Sequence, residues 1–550
     1  MSVGTNLVIV PVIVRAKHGD HVAGMRAEDF EIKEDGAVQT IVHLDEVSAN
    51  TAKVEKTAQA TGRTFGNTVV EQPKRLVIIA LDQINTAFQD ATDGHRMMVD
   101  FLSKSADQNT LIALVALQHN GIRIIHNFTN DPSVLVTAVQ KVRSVISSRD
   151  THSLDALGDN SQADIEALQL IAFLHGTDVT GSSSMADLLA AARANSAAQR
   201  AQIDASRQAQ ESLITLEDFQ QLAQYFWGVP GRKSLIWAST GFPFSLGSSA
   251  QSSTRGTLPD DWQRTFRMLA DANVSVYPVD IGGLVPGANP NNMKAISSAL
   301  ATSSSSNDGN AGVRSKQLDG VDSGAFIDPN SARHDTMRQL ADMTGGQAFY
   351  NSNDVSGLFR LAGGDAAQYY MLSYYTKSTA KAGWRKLSVK AHRDNVKLRA
   401  RSGFFFHDPG SEPETARQAD EMMAMVSDLD FAAMPLTGEW KEVEPSGNKR
   451  KVHFLLSVPA GVPSIDNEHQ NHINFDFRAV ALDSNGRVVA KLGERLETNL
   501  PPENLAQIRS HGLDYANSLT LPPGQYKIHF VVRDNLKGTL GSVVVPLKVE

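Results

Sequence analysis

The sequence predicts an α/β unit, doubly wound with helices on both faces of a mostly parallel sheet, accompanied by β-sandwich modules. Three observations carry that expectation. Continuous apolar runs recur at Leu76–Leu81, Leu111–Leu117, Ser234–Ala238 and Val274–Val279, the pattern of strands buried on both faces. Stretches of helical texture fall between and after them, around 95–104, 131–143, 262–272 and 334–343, and such alternation implies a parallel sheet. On either side lie β-branched segments separated by turn signals, which read as antiparallel modules.

In chain order, residues 6–14 and 29–44 read as strands, with Glu34-Asp35-Gly36 supplying a hairpin turn. Residues 48–72 are polar and read as a linker. The run Leu76–Leu81 ends in Asp82, and residues 122–128 form a short edge strand beside Leu111–Leu117. Residues 160–228, mostly polar or Ala-rich, read as a helical insertion, and the Ser/Asn/Gly/Asp-rich stretch 285–330 reads as a mobile loop. Gly345-Gly346 ends a helix, and Gln347–Tyr350 is a last short strand. Three strands follow at Tyr369–Tyr375, Lys386–Ala391 and Lys397–Phe406, then an all-β region from Trp440 to Glu550.

Residues 1–50 and 366–408 each hold too few strands for a sandwich of their own. They are expected to pair into one discontinuous β-sandwich, with the α/β unit 73–365 inserted, itself carrying the helical insertion at about 158–228. A linker, 409–436, then leads to an immunoglobulin-like β-sandwich at 437–550.

Composition narrows the function. The chain has 550 residues and a net charge of −8, with 52 basic against 60 acidic residues. That balance argues against nucleic acid or an anionic membrane surface as the main partner, since both require a basic footprint. With no cysteine, thiolate nucleophiles, disulfides and zinc–thiolate sites are excluded. No apolar run approaches the ~18–20 residues that span a bilayer. Leu7–Val14 is short and interrupted by Pro11, so it reads as a strand and not as a signal peptide. There is neither a Walker-type lysine motif nor a Gly-x-Ser-x-Gly elbow, and the expectation is a protein that is not an enzyme. His469 and His472 fall in a loop-like stretch and read as a solvated turn.

Six phrases bear a family likeness: Ala27 to Gly36 (AEDFEIKEDG), Phe128 to Asp131 (FTND), Pro230 to Trp237 (PGRKSLIW), Val276 to Asp280 (VYPVD), Thr344 to Tyr350 (TGGQAFY) and Arg399 to Phe404 (RARSGF). In this order they resemble the von Willebrand factor A-related proteins of the Acidobacterial type. The resemblance implies a Rossmann-like domain with a metal-ion-dependent adhesion site, in which hard oxygen ligands hold Mg²⁺ or another divalent cation. It also favours a secreted or periplasmic location.

The ligand pattern is half present. Asp82-Gln-Ile84-Asn85-Thr86 keeps the aspartate and the final hydroxyl, but Ile84 stands where a serine is expected. Thr151 matches the later threonine, whereas Ser239-Thr240 replaces the second carboxylate. Asp82, Thr86 and Thr151 are therefore the candidate metal ligands, and Asn85, Ser239, Thr240 and Asp280 the candidate partner-binding residues. No cofactor is firmly expected. The expected function is non-catalytic recognition of a protein or extracellular partner through a degenerate adhesion site that works without the ion. The alternatives are a cell-envelope scaffold and a metal-regulated partner of an enzyme or secretion system.

Overall fold

A computed structural model describes residues 6–48, 64–67, 76–86, 96, 98–99, 101–102, 110–149, 202, 206–207, 209–229, 231–239, 258–281, 331–350, 364–365, 368–376, 383–406, 413–467 and 470–550. The expectations for residues 285–330, Thr151, Thr240 and His469 lie outside the described residues.

The chain begins with β1 (Asn6–Ala16), β2 (Phe30–Glu34), β3 (Ala37–Gln39) and β4 (His43–Ser48). Asp35 and Gly36 join β2 to β3 with φ of 48° and 87°, the left-handed pair that a type I′ hairpin turn requires. The short β5 (Thr64–Gly66) follows.

Next come β6 (Leu76–Asp82), β7 (Leu111–Leu117), β8 (Arg123–Thr129), α1 (Pro132–Arg149) and a helix α2 over residues 209–227. They are followed by β9 (Lys233–Ser239), α3 (Leu258–Asp271), β10 (Val274–Asp280) and α4 (Ser331–Thr344). These strands form one sheet of order β10-β9-β6-β7-β8, parallel except for the β8 edge. Alternate residues of β6 enter two separate cores. Leu76, Ile78 and Ala80 meet α2, α3 and α4, while Val77, Ile79 and Leu81 meet α1 and the segment 98–102.

The apolar stripe of α2, namely Leu216, Phe219, Leu222, Ala223 and Phe226, has helical i, i+3, i+4 spacing. Phe219 meets Trp237 of β9 edge to face, 5.4 Å between centroids. The end of the stretch read as an insertion is thus part of the sheet's cover.

The strands β11 (Gln368–Thr376), β12 (Gly383–Ala391), β13 (Val396–Ala400) and β14 (Gly403–Phe406) return to the first four. The two sheets run β13-β1-β11-β4 and β14-β12-β2-β3. Val8, Val10, Val12 and Val14 fill the space between them with Phe30, Ile32, Tyr370 and Tyr374.

The sheet's outer face abuts the α/β unit, and there Tyr369 Oη accepts the Arg232 amide (2.9 Å). Tyr369 and Tyr370 are both buried, because each face of β11 is covered there. Arg232 is a buried tie. Its guanidinium donates to Tyr277 Oη (2.7 Å) and to the Gly345 and Asp365 carbonyls (both 3.2 Å).

Helix α5 (Glu414–Val426) precedes β15 (Thr437–Ser446), β16 (Lys449–Val458), β17 (His472–Asp483) and β18 (Val488–Asn499). Helix α6 (Pro502–His511), β19 (Leu513–Leu521), β20 (Gly524–Asp534) and β21 (Thr539–Val549) complete the chain. Two four-stranded sheets, β19-β16-β15-β5 and β18-β17-β20-β21, enclose a core rich in phenylalanine, including Phe454, Phe475, Phe477 and Phe530.

Two segments read as linkers belong to this sandwich. β5 adds to its edge beside Thr437–Glu439, and Phe65 stacks on Phe530 at 5.4 Å. Phe431, Met434 and Leu436 are buried, and Asp420 of α5 takes Arg264 and Arg533.

The predicted fold class is corrected by these sheets. About 50% of the described structure is strand and 26% helix, and four of the five sheets are antiparallel throughout. The chain is a β-rich protein, not a doubly wound von Willebrand factor A fold. The reason is physical. Strands covered on both faces need unbroken apolar runs, which stand out in a sequence, whereas strands covered on one face alternate and signal faintly. The loud minority set the expectation.

Candidate functional site

Asp82 ends β6 at the centre of the parallel sheet and is almost fully buried. Its Oδ1 accepts the amides of Ile84 (2.8 Å) and Asn85 (2.9 Å), which turns the chain sharply out of the strand. Its Oδ2 accepts Asn85 Nδ2 (2.8 Å), Ser239 Oγ (2.8 Å) and Trp237 Nε1 (3.1 Å). Burial pushes this carboxyl above the usual range, and the bonds from Asn85, Ser239 and Ile84 pull against it. A carboxylate offers about four lone-pair sites, and five protein donors already converge on this one.

Such a donor set does not fit a divalent cation. Ile84 is buried in the apolar core, and the Ser239 hydroxyl already donates to Asp82. Thr86 is half-buried, and its Oγ1 has no partner among the described residues. Asp280 ends β10 and contacts His334 Nε2 of α4 (2.9 Å), whose ring stacks on Tyr350 at 4.3 Å. No cluster of three or more metal-ligating side chains occurs among the described residues. The structure therefore brings Asp82, Asn85 and Ser239 together as a hydrogen-bond hub, with Asp280 in a separate contact.

Sequence reading missed Asp218, although a signal was present. Ser212, Thr215 and Asp218 repeat every third residue along α2, and all are buried. Thr215 Oγ1 accepts Asn85 Nδ2 (2.9 Å), and Asp218 Oδ2 accepts the Gln118 amide (3.0 Å). Burial drives the Asp218 carboxyl up to about 8, the Gln118 amide opposing and the Asp82 charge adding.

A pH dependence follows. Below an unfolded pKa near 3.8 this group's contribution is fully present, and it is lost as pH rises through about 8. The slope inside that window is about 1.4 kcal/mol per pH unit. The melting temperature should fall between pH 6 and 8, and Asp218→Asn, which mimics the neutral acid, should flatten the fall. Equal slopes for both proteins would refute the assignment.

A second site opens elsewhere. A groove of about 450 Å³ lies where the three units meet, within the size range of ligand pockets. Leu7, Val8 and Ile9 of β1 and Phe404, Phe405 and Phe406 of β14 form one wall; Gln224, Trp227, Arg267, Met268 and Asp271 form another; Asp420, Lys537 and Thr539 close it from the C-terminal sandwich. Arg401, just after β13, lies within it and donates from Nη2 to the Ile9 carbonyl (2.8 Å). Asp271 is open at its surface yet ringed by protein, so burial raises its carboxyl to about 6, while Arg267 and Arg401 pull it down. No sequence pattern singles out any of these residues as a site, because they converge from across the whole chain.

No family model and no curated protein matches the chain. Among solved structures it is similar to a glycosyl hydrolase family 2 member from Bacteroides cellulosilyticus, with 8% identity and a TM-score of 0.16 over 33% of this chain and 20% of that one. It is also similar to a β-glucuronidase of Bacteroides uniformis, with 10% identity and a TM-score of 0.15 over 33% and 19%. The chain thus spans about a fifth of the length of either.

Likeness this slight assigns neither a fold nor an activity. The von Willebrand factor A resemblance is overturned by the fold, in which four of the five sheets are antiparallel throughout, and no family model supports it. Both of the similar structures are of enzymes, and nothing in the comparisons supports the expectation of a protein that is not an enzyme. No helix among the described residues is long and apolar enough to cross a membrane.

Proposed function

We propose that the chain recognises a protein or extracellular partner in the groove between its three units, and that it does so without a divalent cation. The carrying observation is the groove itself, with an aromatic wall, convergent charges and an apolar mouth. Leu7, which lines the groove, and its register partner Tyr375 are 49% and 50% exposed. An exposed cross-strand apolar pair beside a groove is the composition that interface cores favour. The saturated Asp82 supports a metal-independent mode, since a cation would have to displace several protein donors.

The test is affinity capture from the native source in EDTA, with the wild type and the surface variant Leu7→Asp as baits. The expected result is a partner retained by the wild type in EDTA and lost from Leu7→Asp. A partner released by EDTA, or retained equally by both baits, would overturn the reading.

A further inference from the structure

We infer that the groove takes the carboxyl-terminal end of a protein partner, with an aromatic last residue and its free carboxylate held by arginine. The inference rests on the groove being the recognition site and adds the chemistry of what enters it.

Charge complementarity comes first. The groove presents Arg401, Arg267 and Lys537 against Asp271 and Asp420. Asp420 is already engaged by Arg264 and Arg533, which leaves Arg401 and Lys537 as the cations beside Asp271 and Arg267. Arg401 is nine-tenths buried, and its Nε has no partner among the described residues. A guanidinium held at one corner by Ile9 and unpaired at another within the groove wall is suited to a carboxylate.

The second observation concerns an extended backbone. β1 pairs with β11 over Asn6–Val12, but with β13 only from Val12 to Ala16. The first half of β1 therefore has one edge without a strand partner among the described residues, and Leu7–Ile9 on that half line the groove. An extended peptide adds to such an edge through main-chain hydrogen bonds. Gln224, 3% exposed, lines the same groove, and its buried Oε1 has no partner among the described residues.

The third is the bed for the last side chain. Trp227, Phe404, Phe405, Phe406 and Met268 form the apolar lining, and Arg401 already lies over the Phe404 ring at 5.5 Å. An aromatic side chain adds to such a cluster by edge-to-face or offset packing.

Fluorescence polarisation with a labelled oligoalanine peptide ending in phenylalanine tests this on the full chain. The free acid should bind, and its C-terminal amide should bind at least about tenfold more weakly. Lys537→Glu, at an exposed rim position that leaves the buried groups intact, should weaken the free acid by about the same factor, and Arg401→Gln by more. Equal binding of acid and amide, or no binding of the acid, would overturn the proposal while leaving the groove reading to the Leu7→Asp capture result. Binding of free phenylacetate at the peptide's affinity would overturn the protein terminus in favour of a small aromatic acid.

Discussion

Asp82→Ala should destabilise the protein by about 3–5 kcal/mol. The substitution strands donors that have no water to turn to. Trp237 and Ser239 are fully buried, and the Ile84 amide sits under the core. Each buried donor left without an acceptor costs about 1–3 kcal/mol, and some of the five should relax toward each other. Asp82→Asn is the informative companion. It keeps Oδ1 for the Ile84 and Asn85 amides but aims an NH₂ at the three donors now on Oδ2, so it should remain destabilising. Denaturant midpoints, with unchanged slopes, measure both. A loss below about 1 kcal/mol for Asp82→Ala would mean that the hub is not structural.

Asn67→Ala should cost about 2–4 kcal/mol, with the loss confined to the C-terminal sandwich. One buried amide group ties the segment after β5 to the strand-entry loop. Its Nδ2 donates to the Phe431 and Met434 carbonyls (2.6 and 3.0 Å), and its Oδ1 accepts the Leu436 amide (2.8 Å). Asn67→Asp should be worse, because a carboxylate would face two carbonyl oxygens. Hydrogen exchange read along β15 should show faster exchange at Thr437–Glu439, where β5 pairs, with β6 and β9 unchanged. Uniform loss of protection across the chain would place Asn67 in a global core instead. A fragment of 437–550 alone would lack β5 and the buried Phe431, Met434 and Leu436, leaving an open sheet edge prone to association.

These two residues also mark what the sequence made legible. Asp82 was conspicuous because it ends an unbroken apolar run, and the runs Leu76–Leu81, Leu111–Leu117, Ser234–Ala238 and Val274–Val279 did fall in buried strands. Its chemistry was not legible, since five donors, from the turn after β6 and from β9, reach it only in the folded chain. Asn67 sits in polar, turn-like sequence with nothing to set it apart, and its partners are more than 360 positions away. The helix α2 carried its apolar stripe in plain view, but the Ala-rich stretch before it drew attention to length and not to spacing. Overall class was misjudged because alternating strands announce themselves less than continuous ones. The groove had no local signature, being lined by residues from β1 to the β20–β21 turn.

Because the chain has no cysteine, a single introduced thiol reports one place. A benzophenone label on Leu7→Cys, at the mouth of the groove, and one on Asn120→Cys, in the turn after β7, can be photo-crosslinked in native extract containing EDTA. Recognition in the groove without a cation requires a discrete adduct from Leu7 in EDTA and none from Asn120. An adduct from Asn120 alone, formed only when Mg²⁺ is restored, would contradict that mode and return recognition to an ion at the end of the parallel sheet.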